Sequence, residues 1–279
     1  MPSPRACWLA VVAVCLLLST SAAAQTYRTI KVDDPGTITG TVKWSGVVPA
    51  ASTVTINKDV SVCDPQSAKT RDLERLVIGP NKGVANTVVY LKNIEAGKAM
   101  DLPPARRTLN QKSCRYEPHI LLVPQNDKLA IKSSDPILHT VHMSGAATYN
   151  LPFPFPDTQV ERQMSQPGII ELRCNAGHVW MNGIVMVVTH PYYAVTDASG
   201  NFRIDGVPPG QYVLVAWHEG WQTQVQAGFY DVLSQTRISR PVFSADSTWE
   251  KPVNVTGGGT ATVDFILSEG KAKLSASTH

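Results

Sequence analysis

The sequence has no run of lysines or arginines; charged residues make up only 17% of its 279 positions, and the formal net charge is +3. That balance gives no electrostatic basis for binding nucleic acid or an anionic membrane surface. A phosphate loop, a dinucleotide fingerprint, an activated-serine motif and a paired-carboxylate signature are all missing, so no enzyme activity is expected. Beyond the first two dozen residues no stretch is apolar for long enough to cross a bilayer, which argues against membrane insertion. Helical periodicity is scarce too, with one weak helix expected around Ala68 to Leu76.

What is there begins with a charge at Arg5, an apolar run from Ala6 to Leu18, and small residues through Ala24. This is the pattern of a secretory signal over residues 1–24, with cleavage before Gln25 and a periplasmic or secreted destination. The run is short for a membrane anchor, and Cys15 follows Val14 rather than the small residue that lipidation requires. The remaining chain, about 255 residues, suits two domains.

The mature chain keeps Cys63, Cys114 and Cys174, an odd number in an oxidising compartment. Cys63 and Cys114 sit in turn-like polar segments and are a candidate disulfide, worth about 4 kcal/mol in the chain-entropy picture. Cys174 is then an unpaired thiol in need of a chemical role.

Alternating apolar and polar residues mark strands at Thr37–Trp44, Thr87–Leu91, Ile120–Val123, Lys128–Lys132 and Gly183–Val188, with Gly/Pro/Asn/Asp clusters between them. This is the punctuation of β-sandwiches. Leu151-Pro-Phe-Pro-Phe-Pro156 is expected to be a loop, because its prolines remove ladder donors. A domain boundary is placed near His190–Pro191, giving domains at 25–190 and 191–270 and a tail at 271–279. After it come three short strands joined by the turns Asp197-Ala-Ser-Gly200 and Val207-Pro-Pro-Gly210. The pattern D-x-x-G-x-F-x-I followed by V-P-P-G-x-Y-x-L resembles the carboxypeptidase regulatory-like (transthyretin-like) domain, with Thr260–Leu267 as its closing strand. That resemblance implies a non-catalytic scaffold or binding module.

The chemistry concentrates in Cys174-Asn-Ala-Gly-His-Val-Trp-Met181, where one loop delivers a thiolate, an imidazole and a thioether. With a second imidazole these are the donors of a blue-copper site: Cys and two His in a plane with a weak axial Met. Ser134-Asp-Pro-Ile-Leu-His-Thr-Val141 offers that imidazole. Here the chain resembles the cupredoxins, which carry an upstream His and a Cys-His-Met loop between the last two strands. The resemblance covers roughly 112–188 and implies His139, Cys174, His178 and Met181 as ligands of one copper ion. The spacing Cys-x3-His-x2-Met also occurs in the dinuclear copper domain of terminal oxidases, but Ile170 stands where a second cysteine would be needed. By donor type alone zinc stays open.

Asn175, Thr140 and the loop amides are candidate supports for the ligands. His142 is either such a support or a surface residue, His119 is expected to be structural, and Trp180 either shields the metal, presents an electron-transfer patch or simply packs. His218 and Glu219 read as a polar strand end. The leading expectation is an all-β protein of two Greek-key-type sandwiches that carries electrons to an unidentified redox partner. Copper storage or delivery is the alternative with the same ligands. A third reading is a binding module, with Trp217, Trp221, Phe229 and Tyr230 as an aromatic platform for a glycan.

Overall fold

The structure, a computed structural model, describes residues 27–103, 107–231 and 236–269. The proposed signal at 1–24 and the tail at 271–279 lie outside that range. Four β-sheets stack as layers with a buried core in each of three gaps. The outermost layer of the first sandwich orders its strands Gln159–Met164, Asp127–Ser133, Thr108–Lys112, Arg115–Glu117. The next runs Tyr149–Phe153, His139–Gly145, Gly168–Arg173, Asn182–Val188, Ile120–Pro124. Alternation explains the packing: Leu129 and Ile131 point from one sheet, Val141, Met143, Ile170 and Leu172 from the other, and all are buried in one core.

The strand Asn182–Val188 breaks the alternation because it is buried at every position. Its sequence Gly-Ile-Val-Met-Val-Val is apolar on both faces, the signature of a strand covered on both sides. Val185 and Val187 face the first core, whereas Ile184, Met186 and Val188 join Ile120, Val88 and Trp217 in a core between the two sandwiches. The second sandwich supplies that cover with the sheet Tyr193–Val195, Val88–Lys92, Gly210–His218, Ser247–Val255. Its outer sheet runs Asn201–Val207, Gly36–Trp44, Thr260–Thr262, with Phe265–Leu267 also pairing to Gly36–Trp44. Phe202, Ile204, Leu214 and Ala216 meet Ile38, Val42 and Leu91 in its core, as their alternation requires. Asp197 builds the entrance turn by accepting the Ser199 and Asn201 amides at 2.9 Å each. Gly200 completes it at φ +78°, where a Cβ would lie 2.2 Å from the Val42 carbonyl oxygen.

Three local expectations change. The boundary at His190–Pro191 does not describe the pairing: Gly36–Trp44 and Val88–Lys92 belong to the second sandwich, and the first is inserted between Val88–Lys92 and Tyr193–Val195, which pair directly. The segment Tyr149–Phe153 is an edge strand rather than a loop, with Pro152 at the sheet edge where a missing amide costs no ladder bond. Around Ala68 to Leu76 there is no helix; the helix lies upstream at Val60–Cys63, and Asp64 takes the Ala68 and Lys69 amides at 2.8 and 2.7 Å, closing a turn. That helix sits in a strap whose arms Thr53–Thr55 and Thr70–Asp72 pair antiparallel. Ile56 and Leu73 anchor the strap in the first core, and Cys63 is disulfide-bonded to Cys114.

A buried polar cluster fastens the layers. Glu219 is 1% exposed and contacts both the Arg75 guanidinium and Nε2 of His119. Beside it His218 is fully buried, its Nδ1 within 2.7 Å of the Glu219 carbonyl oxygen. His218 and Glu219 are thus the polar end of the strand Gly210–His218, as expected, but a buried one. Burial, aided by the Arg75 cation, pushes the His218 pKa down to about 3, and burial pushes His190 down to about 4. Both are therefore neutral in the fold while the unfolded chain titrates near 6.5. Below that value the unfolded state binds more protons, so stability present at neutral pH is lost as the pH falls toward 4. Each histidine is expected to cost about 1.4 kcal/mol per pH unit in that window. Urea unfolding at pH 7 and pH 5 checks this: the midpoint is expected to fall, and equal midpoints would contradict it.

Candidate metal centre

His139 opens the strand His139–Gly145 beside the strand Gly168–Arg173, whose end delivers Cys174 into the loop before Asn182–Val188. Gly177, at φ +91°, lets the loop turn between Cys174 and His178, and the Met181 amide donates to the His178 carbonyl oxygen at 3.0 Å. One strand start and one loop thereby converge. Cys174 Sγ and a ring nitrogen each of His139 and His178 lie within 4.8 Å of one another, and all three side chains are buried. The two Nδ1 atoms stand 3.2 Å apart, and Cys174 Sγ is 3.6 Å from Nδ1 of His178.

Each imidazole is held from behind. His139 Nε2 lies 2.9 Å from Asp135 Oδ2, and His178 Nε2 lies 2.8 Å from Asp59 Oδ2. A carboxylate behind Nε2 holds a proton there and turns the Nδ1 edge of the ring toward the thiol. Asp135 is itself fixed by the amides of Ser113 and Cys114 at 2.7 and 2.8 Å. The sulfur accepts the Thr140 amide at 3.4 Å, and the Asn175 amide donates to Thr140 Oγ1 at 2.6 Å. Thr140 therefore supports the centre through both backbone and hydroxyl, and Asn175 through its backbone.

Burial opposes the Cys174 thiolate, but the His139 and His178 imidazoles and the Thr140 amide outweigh it and bring the pKa down to about 5. Burial likewise opposes a charged His139, while Asp135 and then Cys174 raise it to about 9. The thiol is thus predisposed to the form that binds metal. Met181 is 2% exposed and lines a small cavity together with Cys174 and Phe243. The donor set, one thiolate and two imidazoles with a thioether at hand, fits a soft or borderline transition metal and not a hard cation.

Trp180 is also buried, its ring edge-on to His178 at 5.4 Å and its Nε1 donating to the Cys114 carbonyl oxygen at 3.2 Å, so it shields the site rather than offering a surface patch. His142 lies on the same strand but outside the ligand group, half-buried across from Arg173. His119 belongs to the Glu219 cluster. Cys114, Asp135 and His139 also lie within 4.8 Å of one another, but the Cys114 sulfur is consumed by the disulfide and offers no thiolate. The reading of the residues missed Asp135 and Asp59. Asp135 is legible in the Asp-x3-His spacing; Asp59, 119 residues from His178, left no local signal.

Residues 177–268 match the carboxypeptidase regulatory-like domain. Some solved structures overlap part of the chain. An oxidised amicyanin mutant is 21% identical over 29% of this chain and 80% of its own, with a TM-score of 0.27. A purple cupredoxin from Nitrosopumilus maritimus is 18% identical over 29% of this chain and 98% of its own, at 0.25. A copper-containing nitrite reductase from Thermus scotoductus SA-01 is 17% identical over 35% of this chain and 25% of its own, at 0.28. Overlaps this small say nothing of ligand or activity. No curated protein matches the sequence significantly. The carboxypeptidase regulatory-like match begins inside the loop that carries Cys174 and His178, and the strand Asn182–Val188 that closes that loop is also the wall shared by both sandwiches.

Proposed function

We propose that the chain is an exported protein that holds a single copper ion and passes electrons one at a time to a redox partner, without transforming a substrate. The observation that carries this reading is the convergence of His139, Cys174 and His178 at full burial, with Met181 lining a cavity that it shares with Cys174. Copper bound there would supply a one-electron couple. His139 and His178 would hold it through Nδ1, Cys174 through its thiolate, and Met181 as a weak axial donor. Ile170, four residues before Cys174, is a buried core side chain, which favours one ion over two. The sheet and the carboxylates behind each imidazole would hold the ligands in place, so that little rearranges between oxidation states. The Cys63–Cys114 disulfide fits an oxidising compartment.

Copper delivery would use the same ligands, but a carrier that hands over its metal needs an accessible edge, and these side chains are 0 to 2% exposed. The glycan-binding alternative loses two of its aromatics, because Trp217 and Trp221 are buried at 4% exposure each; the side chains of Phe229 and Tyr230 lie outside the described residues. Redox cycling tests the choice. The copper-loaded protein, reduced by ascorbate and reoxidised by ferricyanide with a copper(I) chelator present, is expected to recover its full absorption. Loss of the copper in the first cycle would favour delivery instead.

A further inference from the structure

Of the four proposed ligands, His178 is held by a residue from outside the sandwich that carries it. Asp59 belongs to the strap, 119 positions earlier, and its Oδ2 lies 2.8 Å from Nε2 of His178. The strap cannot drift away: Ile56 and Leu73 are buried in the first core, Cys63 is tied to Cys114, and Arg71 donates to the Ser113 carbonyl oxygen at 2.6 Å. Lys58 crosses the loop so closely that a Cβ on Gly177 would lie 2.9 Å from its side chain. His178 is 0% exposed beneath this cover, while the Asp59 side chain is 36% exposed. The carboxylate is thus the point where the ligand shell meets solvent.

We propose that Asp59 is a positioning residue of the metal centre and the latch on its copper, an inference that rests on the copper reading above. By accepting the Nε2 proton it keeps the His178 Nδ1 lone pair on the metal side and holds the ring against rotation out of the site. The strap then makes ligand exchange slow, because the ring must break its bond to Asp59 before His178 can swing away from the ion. Carboxylates behind a ligating histidine typically contribute about 10–100-fold in metal affinity.

The test uses the full mature chain loaded with copper(I), and follows release to a chelator by stopped flow. Asp59 sits at φ +46°, so Asp59→Gly removes the carboxylate without backbone strain, and Asp59→Asn keeps a carbonyl acceptor for the Nε2 proton. Asp59→Gly is expected to release copper about 10–100-fold faster and Asp59→Asn less so, with Lys58→Ala as the control for general loosening of the strap. The diamagnetic copper(I) form adds a second reading: the protected imidazole proton of His178, seen by nitrogen-15 NMR, is expected to persist in Asp59→Asn and to exchange away in Asp59→Gly. Wild-type release in Asp59→Gly, or an equal acceleration in Lys58→Ala, would overturn the role of Asp59. A wild type that takes up no copper would instead sink the copper reading itself.

Discussion

Replacing Glu219 by alanine is expected to lower the unfolding free energy by about 3–5 kcal/mol. Glu219 stands at the end of the strand Gly210–His218 and joins Arg75, which follows the strap, to His119, which precedes the strand Ile120–Pro124. Without it the Arg75 guanidinium, 6% exposed, keeps, among the described residues, the face of Phe243, 3.5 Å from the ring centroid, and the pull of Glu171 and Asp246. Burial already lowers the Arg75 pKa to about 9, a sign of how poorly solvated the charge is. The penalty comes from stranding a cation, not from losing a bond of that size. A double replacement, Arg75→Met with Glu219→Leu, is therefore expected to recover most of the loss. Urea unfolding followed by tryptophan fluorescence measures both, since Trp217 and Trp221 lie nearby in sequence. A cost below about 1 kcal/mol for the single variant would mean that the cluster does not fasten the layers.

The second large effect is on metal binding. Cys174→Ala is expected to weaken copper affinity by more than about 100-fold, since even a residue behind a ligand contributes 10–100-fold and Cys174 supplies the one charged donor. The metal-free fold should lose no more than about 2 kcal/mol, because a single sulfur leaves a small void and Asp135 still holds His139. Chelator competition gives the affinity and thermal unfolding the stability. Unchanged affinity would move the metal elsewhere in the chain.

The sequence pattern carried the strands and the ligand motif because both are local. Phe202, Ile204, Leu214 and Ala216 alternate into one core wherever the rest of the chain goes, and Cys174, His178 and Met181 share one loop. The odd cysteine was informative for the same reason: pairing Cys63 with Cys114 leaves one thiol, and it lies among imidazoles. What stayed hidden depends on distant partners. Thr37–Trp44 reads as a strand, but nothing in its alternation says that it pairs with Asn201–Val207, more than 150 residues on, so a boundary at His190–Pro191 separates two strands that pair. Pro152 argued against a strand, yet the argument holds only for central strands, and Tyr149–Phe153 is at an edge. The burial of Glu219 left no local signal, because its partners Arg75 and His119 lie 144 and 100 residues away. Asp59 was invisible for that reason too.

The most direct test of the account is to add copper(II) to the mature chain and record visible and EPR spectra beside those of Cys174→Ala. One bound copper per chain, with an intense thiolate-to-copper absorption in the wild type and none in the variant, is the predicted result. No such band in the wild type, or the same spectrum from both proteins, would contradict a copper–thiolate centre at His139, Cys174 and His178.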